Sequence, residues 1–229
     1  MDIHSIGSII EKSPSIYEIL KYCPYDILKR WSIKDYAKGQ VIFRQGEIYD
    51  SFCIAVSGYI DIYVMAENGK RYSQAIYTTG DFIGELEIFD EKPFGCFVEA
   101  ISDVRLLEIK REYFLQWIEL DKNISEYITR TLCSQFYNLS KKAGQDTLYS
   151  LKQRLCYYLI TCTKSRSGII EKIDIQKDKL SEQMAVTQRS INRVLQYLKE
   201  KGIIDIENNT VIIKDMDALK IEEEVSRHE

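Results

Sequence analysis

Two periodicities divide this chain. From Tyr36 to Lys110 the apolar residues come in short runs, "QVIFRQG", "SFCIAVSG", "YIDIYVMAENG", "RYSQAIYTTG", "DFIGELEIF", "CFVEAI" and "VRLLEIK", most of them bounded by glycine. Turn signals spaced by about ten residues predict antiparallel strands in a sandwich or barrel. Asn68-Gly69 predicts a type I′ hairpin, because both residues tolerate positive φ. Residues 1 to 35 read instead as short helices, interrupted at Ser13-Pro14 and Cys23-Pro24.

Beyond Lys110 the step lengthens. Ile124, Ile128, Leu132, Phe136 and Leu139, at steps of 4, 4, 4 and 3, form a stripe along one long helix. Such a stripe rests either on its own barrel or against the same helix of a second copy. Part of it is expected in a parallel two-helix dimer seam, with Gly144 ending or hinging the helix. "DTLYSLKQRLCYYLITCT" predicts a further amphipathic helix, with Leu148, Leu151, Leu155, Leu159 and Cys162 on one face, and a polar loop "KSRSG" follows.

"DKLSEQMAVTQRSINRVLQYLKEKGII" then reads as two helices around a tight turn. The first covers about Lys179 to Met184; Ala185-Val186 make the turn, where a small residue avoids a clash. Thr187 is the N-cap of the second helix and Gly202 its C′ residue. Ile191, Val194, Leu195 and Leu198 form the buried face of that helix, leaving Gln188, Arg189, Asn192, Arg193 and Gln196 outward. "IIDIENNTVIIK" alternates on both sides of Asn208-Asn209 and predicts a β-hairpin. Two helices followed by a hairpin make a winged helix-turn-helix.

Composition narrows the classes. At 229 residues and 45% hydrophobic, the chain builds packed cores without metal or disulfide staples. It has no uncharged apolar run near membrane-spanning length, and Glu11 and Lys12 close its first apolar stretch, so a soluble cytoplasmic protein with no membrane partner is expected. Six cysteines spaced 30, 43, 37, 23 and 6 residues apart fit neither a zinc motif nor a disulfide framework, and are expected to be buried free thiols. The two histidines, His4 and His228, lie at the chain ends. A histidine-rich metal cluster of the kind a cupin enzyme needs is therefore excluded, and neither an enzyme nor a metal site is expected.

Charge changes the picture most. The net charge of -4 hides a segment, Asn138 to Gly202, with 13 Lys and Arg against 6 Asp and Glu, which is +7 and leaves -11 for the remainder. One segment suits phosphates and the other does not. Arg189 and Arg193, four residues apart, share a face on which arginine can pair with guanine O6 and N7. Gln188 and Asn192 carry the amides that pair with adenine in the major groove. Thr187, Ser190, Lys179 and Lys201 are candidates for phosphate contacts.

The order of these motifs resembles the Crp/Fnr superfamily of bacterial transcription regulators, on "YAKGQVIFRQGE", "IAVSGYIDIY", "GDFIGELEIF", "VRLLEIKREYF" and "LSEQMAVTQRSINRVLQYLKEKGII", from about Tyr36 to Lys214. The resemblance implies an α+β chain: a double-stranded β-helix (jelly roll) sensor over 1–115, a dimerisation helix over 116–144 and a winged helix-turn-helix over 145–229. It also implies a homodimer on palindromic double-stranded DNA, with RNA polymerase as a further partner. Gly84, Glu85 and Leu86 match the stretch whose glutamate binds the ribose of cyclic AMP. The family's phosphate-binding arginine and the serine or threonine after it fall on Phe94 and Gly95. A cyclic phosphate buried without its guanidinium costs several kcal/mol, so the expected effector is an unidentified one and not cyclic AMP, and no cofactor is evident. Lys92 stands near enough to restore a cation, and Cys96 completes the candidate effector pocket. A cAMP- or cGMP-responsive activator with a variant clamp is the alternative, and Glu85 as a turn-capping carboxylate is the structural one. The clustered N-terminal cysteines of the family's oxygen-sensing branch are missing, since Cys23 stands alone there.

Overall fold

The structure, a computed structural model, describes residues 3–164 and 171–227. It divides into a unit of Met1–Phe136 and a unit of Tyr137–Glu229. Of the polar loop expected after Thr163, Ser165 to Gly168 lie outside the described residues, as does His228.

The first unit opens with helices α1 (Ile3–Lys12), α2 (Pro14–Leu20) and α3 (Tyr25–Leu28). Pro14 takes the first turn of α2, where its missing N–H leaves no bond unmade. Eight strands follow: β1 (Ser32–Tyr36), β2 (Val41–Phe43), β3 (Ser51–Ser57), β4 (Ile60–Met65), β5 (Arg71–Tyr77), β6 (Phe82–Ile83), β7 (Phe97–Ala100) and β8 (Val104–Lys110). They form two four-stranded antiparallel sheets, ordered β1-β8-β3-β6 and β2-β7-β4-β5. Helices α4 (Arg111–Leu120) and α5 (Lys122–Leu148) come next.

Strand periodicity explains why this unit has two cores. In β3, Cys53 and Ala55 face the other sheet, where they meet Ile60, Ile62, Val98 and Ala100, with Leu106 of the neighbouring β8 in the same cluster. Phe52 and Ile54 face the opposite way, onto Trp31, Phe114, Trp117, Ile124 and Ile128 of the helical layer. The sheet is thus apolar on both faces, and its strands read as continuous runs. Phe52 stacks on Phe114 at 4.1 Å, and Trp31 meets Trp117 edge-on at 5.7 Å. The indole N–H of Trp117 donates to Asp121, which also accepts the backbone N–H of Asn123 at 2.9 Å in the first turn of α5.

Three expectations need correction here. Strand β1 starts at Ser32, inside the stretch read as helical; it is an edge strand that pairs with β8 along its whole length, and Lys34 and Asp35 hide its apolar pattern. "DFIGELEIF" is strand only at Phe82–Ile83, because Gly84 turns the chain at φ 91, and a Cβ there would lie 2.7 Å from the Ser51 carbonyl oxygen. The hairpin at Asn68-Gly69 forms, but as a three-residue loop with Gly69 alone at positive φ (78); the Gly69 N–H donates to Ala66 and the Ala66 N–H to Lys70.

The second unit contains the C-terminal part of α5, α6 (Leu151–Lys164), β9 (Glu171–Asp174), α7 (Lys177–Gln183), α8 (Gln188–Glu200), β10 (Ile204–Glu207), β11 (Thr210–Ile213) and α9 (Met216–Val225). Helix α5 runs past Gly144, which does not end it, and stops at Leu148; Ser150 then caps α6, its Oγ accepting the Gln153 N–H at 3.2 Å. Leu148 is 78% exposed and so stands apart from the face formed by Leu155 and Leu159. Strands β10 and β11 make the expected hairpin, with Asn208 at φ 57, and β9 adds a third antiparallel strand. One core joins Leu155, Leu159, Leu180, Ile191, Leu195, Leu198, Ile204, Val211 and Leu219.

Candidate nucleic-acid interface and sensor barrel

Helix α7 ends in a Schellman turn. The Val186 N–H donates to the Ser181 carbonyl and the Ala185 N–H to Glu182, with Ala185 itself at φ 54. Left-handed backbone there, rather than clearance between helices, is what this position demands. Thr187 then caps α8, its Oγ1 accepting the Ser190 N–H at 3.2 Å and lying 2.9 Å from the Ser190 hydroxyl. Ile191, Leu195 and Leu198 are buried, Val194 is half-buried, and Gln188, Arg189, Asn192, Arg193 and Gln196 are exposed. At the other end the Ile203 N–H donates to Leu198 and the Gly202 N–H to Lys199, a second Schellman turn with Gly202 at φ 72. A helix fixed at both ends and along its buried face therefore presents two arginines and three amides to solvent.

In the barrel, Phe94 is 4% exposed and packs against Phe43 at 4.8 Å and Tyr49 at 5.3 Å. Its backbone is held by the Gly46 N–H, which donates to its carbonyl, and by Glu47, which accepts its N–H. Glu85 is also buried, and its carboxyl is pushed up to about 8 by burial, with Glu87 and Asp81 adding to the rise; its own N–H and the Gln135 side chain oppose it. The Gln135 amide donates to the Tyr77 hydroxyl at 3.2 Å, so Glu85, Tyr77 and Gln135 gather between β5 and the first half of α5. Cys96 donates to Gln74 at 3.2 Å, and burial raises its thiol to about 11.

A cyclic nucleotide-binding domain model matches residues 33–121, and a Crp-like helix-turn-helix domain model matches residues 153–221. Among similar proteins, the CRP-like cAMP-activated global transcriptional regulator of Mycobacterium tuberculosis is 24% identical over 81% of this chain and 85% of its own length. The cAMP-activated global transcriptional regulator CRP of Salmonella typhimurium is 21% identical over 89% and 95%. Among solved structures, the c-di-GMP responsive global regulator CLP of Xanthomonas campestris superposes with a TM-score of 0.72 at 17% identity, over 87% of this chain and 98% of that one. A CooA variant from Carboxydothermus hydrogenoformans gives 0.68 at 18% identity, over 89% and 93%. The chain is a Crp/Fnr-type transcription regulator.

Within that family frame the structure distributes the remaining sequence candidates unevenly. Gly84, Glu85, Phe94, Gly95 and Cys96 come together at the β6–β7 end of the barrel, where the Gly95 N–H donates to Glu87 at 3.2 Å. Lys92 does not join them: it is exposed and ion-paired with Asp90 at 2.8 Å. Leu86, at 65% exposure, faces solvent as well. Of the stripe on α5, Ile124 and Ile128 are buried in the chain's own barrel core with Leu132 packed beside them, whereas Phe136 and Leu139 are 74% and 46% exposed. Among the six thiols, Cys53 and Cys156 are buried, Cys23, Cys96 and Cys162 half-buried, and Cys133, expected inside, is exposed on α5.

The phosphate candidates separate too. Lys201 Nζ is 2.8 Å from Glu222 and lies over the Tyr197 ring at 4.7 Å, so it is engaged behind α8. Lys179 lies 3.7 Å from Glu182 on its own helix. Sequence reasoning missed Gln135 and Tyr77 beside Glu85, and it missed α9 altogether. Its run "KIEEEV" has the look of a solvated helix, yet Glu222 and Glu223 are both buried. Among the described residues no group of three or more His, Cys, Asp and Glu is placed to hold a metal, and no helix is long and apolar enough to cross a membrane.

Proposed function

We propose that this regulator works in the cytoplasm as a homodimer on a palindromic operator in double-stranded DNA. Arg189 and Arg193 of α8 read bases, Gln188 and Asn192 add amide contacts, and Thr187 and Ser190 position the helix on phosphates. The observation that carries this reading is α8 itself, capped by Thr187 and presenting exposed arginines one turn apart. RNA polymerase is the proposed further partner, and no catalytic activity is part of the reading. A gel shift against selected operator DNA tests it. Arg189→Ala with Arg193→Ala is expected to abolish the preference for that site, and an unchanged preference would refute the reading.

The controlling effector is proposed to be something other than a cyclic nucleotide. Phe94, at the position of the family's phosphate-binding arginine, lies in an aromatic cluster with Phe43 and Tyr49. An anionic phosphate there would lose its hydration for apolar neighbours. The second reading, a cAMP- or cGMP-responsive activator, has in its favour the retained Gly84 and Glu85 and the cAMP-activated relatives. Titration calorimetry with both nucleotides decides between them: micromolar binding supports the second reading, and no heat supports the first.

A further inference from the structure

A polar cluster outside the two sites above lies behind α8, within the second unit. Glu222 on α9 is only 7% exposed. Its carboxylate accepts the Tyr197 hydroxyl at 2.8 Å and the Lys201 ammonium at 2.8 Å, and the Lys152 ammonium lies 3.4 Å away. One carboxylate therefore ties together α6, α8 and α9. The next residue, Glu223, is equally buried and accepts from Gln153 of α6 at 2.6 Å and from Arg227 at 2.7 Å. Burial alone would raise the pKa of Glu222, but bonds from Lys201, Tyr197 and Lys152 outweigh it and hold the carboxyl below its usual range.

The position of this cluster gives it a consequence for DNA. Arg193, Tyr197 and Lys201 succeed one another at four-residue steps, so Glu222 grips α8 on the flank that carries Arg193 one turn earlier. Ile191, Leu195 and Leu198 hold the buried face of α8 by apolar contact, which is non-directional, and none of them bonds the flank that carries Arg193. Charge-assisted hydrogen bonds are directional and about twice as strong as neutral ones, and here they act at the last turn of the helix.

We propose that Glu222 is a positioning residue for operator recognition. It fixes the rotation of α8, and with it the direction in which Arg189 and Arg193 project, and it keeps Lys201 and Lys152 off the DNA backbone. The inference rests on the reading of α8 as the base-reading helix.

The test uses the full chain with duplexes enriched by the wild type from a random-sequence library, and an unrelated duplex of equal length as the non-specific reference. Glu222→Gln is expected to lower affinity for the selected duplex about tenfold, and Tyr197→Phe, which removes one hydroxyl and keeps the ring, about threefold. Binding to the unrelated duplex is expected to hold or strengthen in Glu222→Gln, with a steeper salt dependence as the freed lysines reach phosphates. Glu224→Gln, at the exposed neighbouring carboxylate, is expected to change nothing. The proposal is overturned if both variants keep the wild-type ratio of selected to unrelated affinity while Arg189→Ala lowers it. It is equally overturned if both affinities fall in parallel, which is what loss of structure alone would give. An unchanged ratio in Arg189→Ala would instead remove the base-reading role of α8 and this inference with it.

Discussion

Glu85 and Phe94 illustrate what single residues decide in the barrel. Both are buried, one ionisable and one aromatic, at the β6–β7 end of the barrel. With its carboxyl pushed up to about 8 from an ordinary 4.5, Glu85 binds its proton more tightly in the folded chain than in the unfolded one. The folded state therefore carries the extra proton between those values, and its stability falls as pH rises from about 4.5 to about 8. The facing groups, Tyr77, Cys53 and Cys96, have raised pKa values and stay neutral in that window, so Asp81 and Glu87 are the charges that sharpen the effect. Glu85→Gln is expected to stabilise the protein by roughly 1–3 kcal/mol at pH 7 and to flatten the slope. Urea denaturation between pH 5 and 8 measures it, and an unchanged slope would show that Glu85 does not titrate there. At this scale the sequence revealed side-chain chemistry well but partners poorly. Phe94 was readable as an apolar side chain where the resemblance implies an arginine. Nothing in "FDEKPF" told Lys92 apart from a pocket cation, because its Asp90 pairing depends on how the turn folds.

At the scale of elements, turns and caps decide which helix ends where. Ala185 sits at φ 54, a region that costs an L-residue roughly 1 kcal/mol. Ala185→Gly is accordingly expected to raise stability by about 0.5 kcal/mol despite the greater freedom glycine gives the unfolded chain. Thr187→Ala, which loses the cap on Ser190, is expected to lower it by about 1 kcal/mol. Thermal unfolding of the two variants checks both signs, and equal shifts in one direction would contradict the assignment of the two turns. Element types were legible wherever apolar periodicity was strong, as in β3, β8 and α8. They were lost where polar residues masked an edge strand, as in β1, or where tertiary donors neutralise acidic residues, as in α9. The early end of β6 was lost for a third reason: the clash that forces Gly84 to turn comes from Ser51, 33 residues away in sequence (84 less 51).

At the scale of the whole molecule, α5 carries the proposal of a dimer. Ile124 and Ile128 belong to the core of the first unit, so the sequence stripe splits into a part that holds the barrel and a part, Phe136 and Leu139, left exposed in the single chain. Phe136→Glu is expected to leave the fold intact and shift the protein from two chains to one, as read by light scattering. Ile128→Glu is expected to unfold the first unit instead. A monomeric wild type would refute the dimer. The basic segment singled out by charge, Asn138 to Gly202, is spread through the second unit, where Lys201 and Lys199 are ion-paired with Glu222 and Asp205. Net charge thus pointed to the correct half of the chain but overstated the cations open to DNA.

The most direct test of the account is selection of bound duplexes from random-sequence DNA, with the wild type and with Arg189→Ala, Arg193→Ala in parallel. The wild type is expected to enrich a two-fold symmetric motif with half-sites about one helical turn apart. The double variant is expected to enrich none, since each lost base-reading pair removes about 1–3 kcal/mol of discrimination. Enrichment of the same motif by both proteins, or of no motif by the wild type, would contradict it.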